Sequence, residues 1–143
     1  MKHTMLLATG ALCFIFSCAA PAASPGQPAN AEVDTFIGSA VVLSADVPTT
    51  VMVGGEFAVV LEENPSTGYT WDYSIDPTGL AVETAKESFA AVPEPMAGSP
   101  VNTVWKFRAD AEGEATLTYL YYRPWEKPET AINRQVFTVK IVR

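Results

Sequence analysis

From Thr35 onward, the chain alternates between short apolar runs and turn-forming clusters, and this pattern restricts the folds open to it. The runs are rich in β-branched and aromatic residues, and the clusters contain Gly, Pro, Asn and Asp. No run shows the 3.6-residue periodicity of an amphipathic helix over a useful length. The pattern predicts about eight strands in about 110 residues, which favours an all-β sandwich. These strands are predicted at 36–44, 50–53, 56–62, 69–74, 80–84, 101–109, 114–122 and 134–142.

Side-chain alternation predicts which faces of these strands are buried. In the strand 114–122 both faces are partly apolar, which is typical of a central strand. Trp71 and Trp105 lie in predicted strands beside other apolar residues, so we expect both in the core. The last strand alternates most clearly, and its core-facing residues are expected to be Phe137, Val139 and Ile141.

Turn-forming residues predict the connections between the strands. Gly54-Gly55 and Glu112-Gly113 each separate two apolar runs and are typical of hairpin turns. Residues 86–100 contain three prolines and little alternation, so they predict a long connection with no strand in it.

The amino-terminal residues have the layout of an export signal. Residues 1–17 combine Lys2, an apolar stretch and no acidic residue, which is typical of a secretory signal peptide. This stretch is too short for a membrane-spanning helix. Ile15-Phe16-Ser17-Cys18 resembles the lipobox of bacterial lipoproteins, which predicts lipidation of Cys18. An ordinary cut after Ala20-Pro21-Ala22 is the alternative.

Three segments follow from this layout. Residues 1–17 are the predicted signal peptide, residues 18–32 an Ala- and Pro-rich tether, and residues 33–143 a single folded domain. The prediction is an exported protein, a membrane-anchored lipoprotein at the surface or in the periplasm. Without lipidation it would be periplasmic or secreted. The membrane is then a partner only through the lipid on Cys18, and the domain is expected to be a monomer.

Composition excludes several classes of function. Without Lys2, eight Lys and Arg face sixteen Asp and Glu, so nucleic acid is not an expected partner. Cleavage of the signal removes Cys13 and His3, the single histidine. No imidazole then remains for a catalytic triad or a metal site, and with Cys18 lipidated no thiol remains either. Glu62 and Glu63 are neighbours on a strand and point to opposite faces, so we expect a solvated edge, not an acid and base pair. The sequence predicts no enzyme, cofactor or metal.

The segment Asn64-Pro65-Ser66-Thr67-Gly68-Tyr69 predicts a loop with one fixed shape. Pro65 fixes a backbone angle, and Gly68 permits a positive φ. Asn64 can bond nearby amides through its side chain. A rigid loop loses little entropy on entering a cleft, which suits a binding role. The alternative is a well-formed turn with no partner.

A second motif, Arg123-Pro124-Trp125, follows the strand 114–122. Flanking prolines favour a stiff loop that presents the indole to solvent, and exposed Trp residues often dominate interfaces. Trp125 could instead pack inward, and Arg123 could pair with a carboxylate or with loop carbonyls.

Together these motifs resemble the signature of chagasin-type cysteine protease inhibitors. The resemblance covers about 33–143 and rests on ENPSTGYTW, AEGEATLTYLYYRPW and QVFTVKIV, in that order. It implies an immunoglobulin-like sandwich of about eight strands, whose three loops at one end occlude the cleft of papain-like proteases. By this resemblance, Thr67 approaches the protease's catalytic Cys and His, and Trp125 stacks on an aromatic of the primed side.

The third loop departs from the family pattern. Where the family has a Gly-rich run facing the unprimed side of the cleft, this chain has Gly98-Ser99-Pro100, with one Gly retained. Pro100 removes an amide donor, which puts affinity or protease preference in question. The predicted function is reversible, competitive, non-covalent inhibition of papain-like cysteine proteases. The alternative function is a surface-anchored binding module for adhesion or envelope assembly.

Overall fold

Two four-stranded sheets pack face to face in residues 31–143, the part of the chain that the computed structural model describes. The strand orders are β1-β3-β6-β5 and β2-β8-β7-β4. The predicted all-β sandwich of eight strands is confirmed. The elements are α1 (Ala31–Ile37), β1 (Val41–Val42), β2 (Thr49–Met52), β3 (Glu56–Glu63), β4 (Thr70–Asp76), β5 (Ala81–Ala90), β6 (Val101–Ala109), β7 (Gly113–Tyr122) and β8 (Asn133–Val142), with 3₁₀ turns at Pro65–Thr67 and Pro128–Thr130.

The core lies between the two sheets and agrees with the predicted faces. Trp71 and Trp105 are buried, at 6% and 1% exposure. Strand β7 lies between β8 and β4, as its two partly apolar faces predicted. The three inward residues of β8 are also buried: Phe137, Val139 and Ile141.

A hydrogen bond joins the edges of the two sheets. Strand β5 is the edge of the first sheet and β4 the edge of the second. The Tyr73 hydroxyl on β4 donates to Glu83 Oε2 on β5 at 2.5 Å. Burial, followed by the bond and charge of Glu83, raises the pKa of Tyr73 well above its usual value. The hydroxyl therefore stays protonated and able to donate.

The prediction of a strand at 36–44 is wrong in its first part. Phe36 and Ile37 end helix α1, and only Val41–Val42 forms a strand there. Val33, Phe36 and Ile37 have the i, i+3, i+4 spacing of a helix face, and they pack on the outer face of the first sheet around Ala58 and Val104. A helix of seven residues is unstable alone, so its stability comes from this packing. The helix starts at Ala31, before the predicted domain start at residue 33.

We expect α1 to stabilise the sandwich. A chain that begins at Gly38 loses the buried surface of the α1 face, so its free energy of unfolding should fall by roughly 2–4 kcal/mol relative to a chain that begins at Ala31. Urea unfolding followed by tryptophan fluorescence measures the difference. Equal stabilities would show that the helix packs too loosely to matter.

Two predicted hairpins are wrong in their pairing. The turns at Gly54-Gly55 and Glu112-Gly113 exist, but each connects strands of different sheets. Strand β2 pairs in parallel with β8, whereas β3 pairs with β6. Turn residues mark where a strand ends, and they do not specify its partner.

Strand β5 is longer than predicted and extends to Ala90, so the connection to β6 spans only 91–100. As an edge strand, β5 is exposed over most of its length. Its side chains therefore lack the alternation that marks a half-buried strand.

Candidate functional site

Three loops lie together at one end of the sandwich. The Asn64 loop (64–69) connects β3 to β4, the Gly98 loop (91–100) connects β5 to β6, and the Trp125 loop (123–132) connects β7 to β8. Strand register places their bases side by side, because Val101 pairs with both Glu63 and Ala90, and Tyr122 pairs with Thr70. All three sequence motifs therefore meet, although they are far apart in the chain.

Hydrogen bonds of Asn64 fix the shape of the Asn64 loop. Its Oδ1 accepts from the Ser66 amide at 3.1 Å and from the Ser66 hydroxyl at 2.6 Å. Its carbonyl accepts from the Thr67 amide at 3.1 Å and the Thr67 hydroxyl at 2.7 Å. Its own amide donates to the Tyr121 hydroxyl at 3.2 Å. Asn64 is thus an internal support, and Pro65, Ser66 and Thr67 form the exposed tip.

Gly68 ends the 3₁₀ turn and lies against Trp125. Its φ is +77°, in the left-handed region that favours glycine. A Cβ built on Gly68 would lie 2.6 Å from Cη2 of Trp125. Glycine is therefore required twice, for the backbone angle and for the close approach of the indole.

Arg123 connects the Asn64 loop to the Trp125 loop by stacking. Its guanidinium carbon is 4.5 Å from the ring centre of Tyr69 and 6.0 Å from that of Trp125. The Tyr69 ring in turn packs on Tyr121 at 5.5 Å. Arg123 Nη1 also lies 3.6 Å from Glu126 Oε1, an ion pair within the loop. Arg123 therefore lies between Tyr69 and the indole, and its ion pair with Glu126 agrees with the carboxylate pairing considered for Arg123.

Trp125 is exposed to solvent, at 71%. The alternative that it packs inward is wrong. Pro124 beside it is exposed as well. A large rigid side chain, supported by Gly68 and Arg123 yet open to solvent, is ready to contact a partner.

The Gly98 loop is bonded to the Asn64 loop. Asn64 Nδ2 donates to the Gly98 carbonyl at 2.9 Å, and Gly98 has a φ of +87°. At the base of the loop, the Ala91 amide donates to the Pro100 carbonyl at 3.1 Å. Ser99 Oγ accepts from the Met96 amide at 2.9 Å. Although it lacks the Gly-rich run, this loop is closed by its own hydrogen bonds and joined to the Asn64 loop.

Comparison with known proteins identifies the family. The family model described as chagasin family peptidase inhibitor I42 matches residues 50–141. The chain belongs to the chagasin family. Amoebiasin-2 of Entamoeba histolytica is 33% identical over 87 residues, which are 58% of this chain and 68% of amoebiasin-2. As a member of a family of peptidase inhibitors, the chain is not an enzyme.

Solved structures agree with the chagasin-family assignment. The cysteine protease inhibitor EhICP2 from Entamoeba histolytica superposes with a TM-score of 0.63 at 25% identity, over 71% of this chain and 94% of EhICP2. The solution structure of amebosin superposes with a TM-score of 0.54 at 26% identity, over 73% of this chain and 98% of amebosin. The segment that contains α1 and β1 lies before the family match.

Within 31–143, no group of three or more His, Cys, Asp or Glu side chains is placed to hold a metal ion. Over the same residues, no helix is long and apolar enough to cross a membrane. Cys18, the predicted lipidation site, lies outside the described residues.

The expectation that Glu62 and Glu63 form a solvated edge is wrong for Glu63. Its carboxylate is buried and accepts three hydrogen bonds, whereas Glu62 is exposed. The donors are the Thr70 hydroxyl at 2.9 Å, the Trp71 amide at 3.3 Å and the Thr103 hydroxyl at 2.6 Å. Glu63 thus joins the two ends of the Asn64 loop and the neighbouring strand β6. No local sequence signal distinguishes it from Glu62, since its partners come from two other strands.

Replacing Glu63 should destabilise the loop base. In Glu63→Ala the three donors lose their acceptor, so we expect the free energy of unfolding to fall by about 2–4 kcal/mol. Glu62→Ala is the matched control and should change it by less than about 0.5 kcal/mol. Urea unfolding of the two variants measures both. Similar small losses in both would mean that water replaces the buried carboxylate.

Proposed function

We propose that the three loops inhibit papain-like cysteine proteases by filling the active-site cleft, reversibly and without covalent chemistry. The chain is a member of a peptidase inhibitor family, and EhICP2, a structural relative, is a cysteine protease inhibitor. The observation that carries the proposal is the rigid, exposed Trp125 beside the exposed tip of the Asn64 loop.

The preorganised shape of the Asn64 and Gly98 loops supports binding to a complementary cleft. Hydrogen bonds within and between the Asn64 and Gly98 loops hold both loops in one form before any partner arrives. Binding therefore costs little loop entropy, and more of the contact energy appears as affinity.

The side chains of the tip residues contain neither a thiol nor an electrophile that could form a bond with a protease thiol. Thr67, assigned by resemblance to the catalytic centre, donates its hydroxyl to the Asn64 carbonyl at 2.7 Å. Residues 31–143 contain neither Cys nor His. Occlusion is thus the mechanism that these side chains favour.

Titration of papain tests the proposal. The full chain should abolish hydrolysis of a fluorogenic peptide at a one-to-one ratio, and dilution of the complex should restore activity. Binding to papain whose thiol is alkylated by a small reagent should persist, though weakened. No inhibition, or a covalent adduct on untreated papain, would contradict the proposed mechanism. No observation in the structure favours the adhesion module.

The proposed localisation is at a membrane surface, to which a lipid on Cys18 attaches the inhibitor. The lipobox-like Ile15-Phe16-Ser17-Cys18 supports this proposal. Metabolic labelling with palmitate should mark the wild type and not Cys18→Ala. Label in neither protein would favour ordinary secretion.

A further inference from the structure

The Met96 side chain lies on the Gly98 loop of the candidate site and is highly exposed. It is 81% exposed, and Trp125 follows at 71%. These are the two most exposed large apolar side chains in the described part of the chain, and both lie on the loops of the site. Single exposed apolar residues are common, so position and rigidity must distinguish Met96 from a chance exposure.

The backbone around Met96 is held in one conformation. The Met96 amide donates to Ser99 Oγ at 2.9 Å, and the Ser99 amide donates back to the Met96 carbonyl at 2.9 Å. The Gly98 carbonyl then accepts from Asn64 Nδ2 at 2.9 Å. The base of the side chain is thus fixed relative to the Asn64 loop, while the flexible thioether is free to adapt to a cavity.

We infer that Met96 is a specificity-determining residue, which inserts into an apolar subsite of the protease on the Gly98-loop side of the cleft. The inference rests on the proposed function and adds to it a second anchor besides Trp125. It predicts a preference for proteases whose subsite there is apolar. The neighbouring Glu94 is the only charged side chain in 91–100, so the loop offers no cation for an acidic subsite.

Substitution tests the inference, and the chain contains a matched control. Met52 is also exposed, at 64%, but it ends β2 at the opposite end of the sandwich. In the full chain, Met96→Ala should raise the inhibition constant for papain about tenfold, whereas Met52→Ala should leave it within twofold. Met96→Leu should restore inhibition to within about threefold of the wild type.

Oxidation gives an independent readout. Hydrogen peroxide transfers one oxygen atom to a thioether, so that sulfur loses two electrons and the peroxide becomes water. After removal of peroxide with catalase, oxidised wild type and oxidised Met52→Leu should both inhibit at least about tenfold more weakly. Oxidised Met96→Leu should keep its inhibition. Met1 and Met5 are common to all three proteins and cannot explain a difference.

The outcomes separate the two hypotheses. If the wild type inhibits papain and Met96→Ala inhibits equally well, or if oxidised Met96→Leu weakens as the wild type does, the inference is wrong and the proposed function stands. If the unoxidised wild type does not inhibit, the proposed function is wrong and the inference falls with it.

Discussion

Gly68→Val should weaken inhibition of papain at least about thirtyfold. Two effects combine: a β-branched residue resists the φ of +77°, and its Cβ would lie 2.6 Å from Trp125 Cη2, so the indole must move. Loss of a correctly placed anchor costs roughly 2 kcal/mol or more, and each 1.4 kcal/mol is about tenfold in affinity. Inhibition constants from fluorogenic assays measure the change.

Gly79→Val is the matched control for this result. Gly79 has a φ of +90°, lies between β4 and β5 at the other end, and has no atom within 4 Å of its built Cβ. The strained backbone angle should lower the free energy of unfolding by roughly 1–2 kcal/mol in both variants, but only Gly68→Val, which also displaces the indole, should impair inhibition. Equal inhibition by the two variants would contradict the proposed position of Trp125 at the interface.

Thr67→Ala should have a smaller effect than Gly68→Val. The substitution keeps the backbone angle and removes the Thr67 hydroxyl, which donates to the Asn64 carbonyl. The family resemblance implies loss of a contact with the protease, and the structure adds loss of the hydrogen bond to the Asn64 carbonyl. Both variants should stay folded.

Trp125→Ala should weaken protease binding by roughly 2 kcal/mol or more, about thirtyfold, with little change in stability. The indole is 71% exposed, so its removal leaves no large cavity. Calorimetric titration into alkylated papain would measure the binding loss without interference from turnover.

Trp105→Ala is the opposite case, in which stability should fall because the removed side chain is buried. Trp105 is 1% exposed and packs on Tyr119 at 5.0 Å, so truncation should lower the free energy of unfolding by roughly 3–5 kcal/mol. A comparable loss of stability in Trp125→Ala would mean that Trp125 supports the fold and is no free anchor.

Local sequence patterns predicted the features that depend on neighbouring residues. Alternation in β8 identified its buried face, and Pro and Gly placement identified the rigid loops. The short helix α1 was missed because its apolar spacing covers only seven residues. The end of β5 was missed because an edge strand need not alternate.

Local sequence patterns could not predict the features that depend on residues far apart in the chain. Glu63 is buried because Thr103, forty residues later in the chain, supplies a hydroxyl. The bond from Asn64 to Gly98 spans 34 residues and depends on the antiparallel pairing of β3 with β6. The exposure of Met96 depends on how the Gly98 loop folds, which local sequence patterns do not predict.

The Asn64 loop crosses from one sheet to the other, whereas the Gly98 and Trp125 loops each connect strands within a single sheet. The Gly98 and Trp125 loops belong to different sheets, so the distance between them is set by the distance between the sheets. That distance depends in turn on the volume of core side chains such as Phe107 and Tyr119. Substitutions deep in the core can then change the distance between the Gly98 and Trp125 loops without touching the protease. An inhibitor built this way can adjust to a new cleft by evolving its interior while its contact residues stay the same.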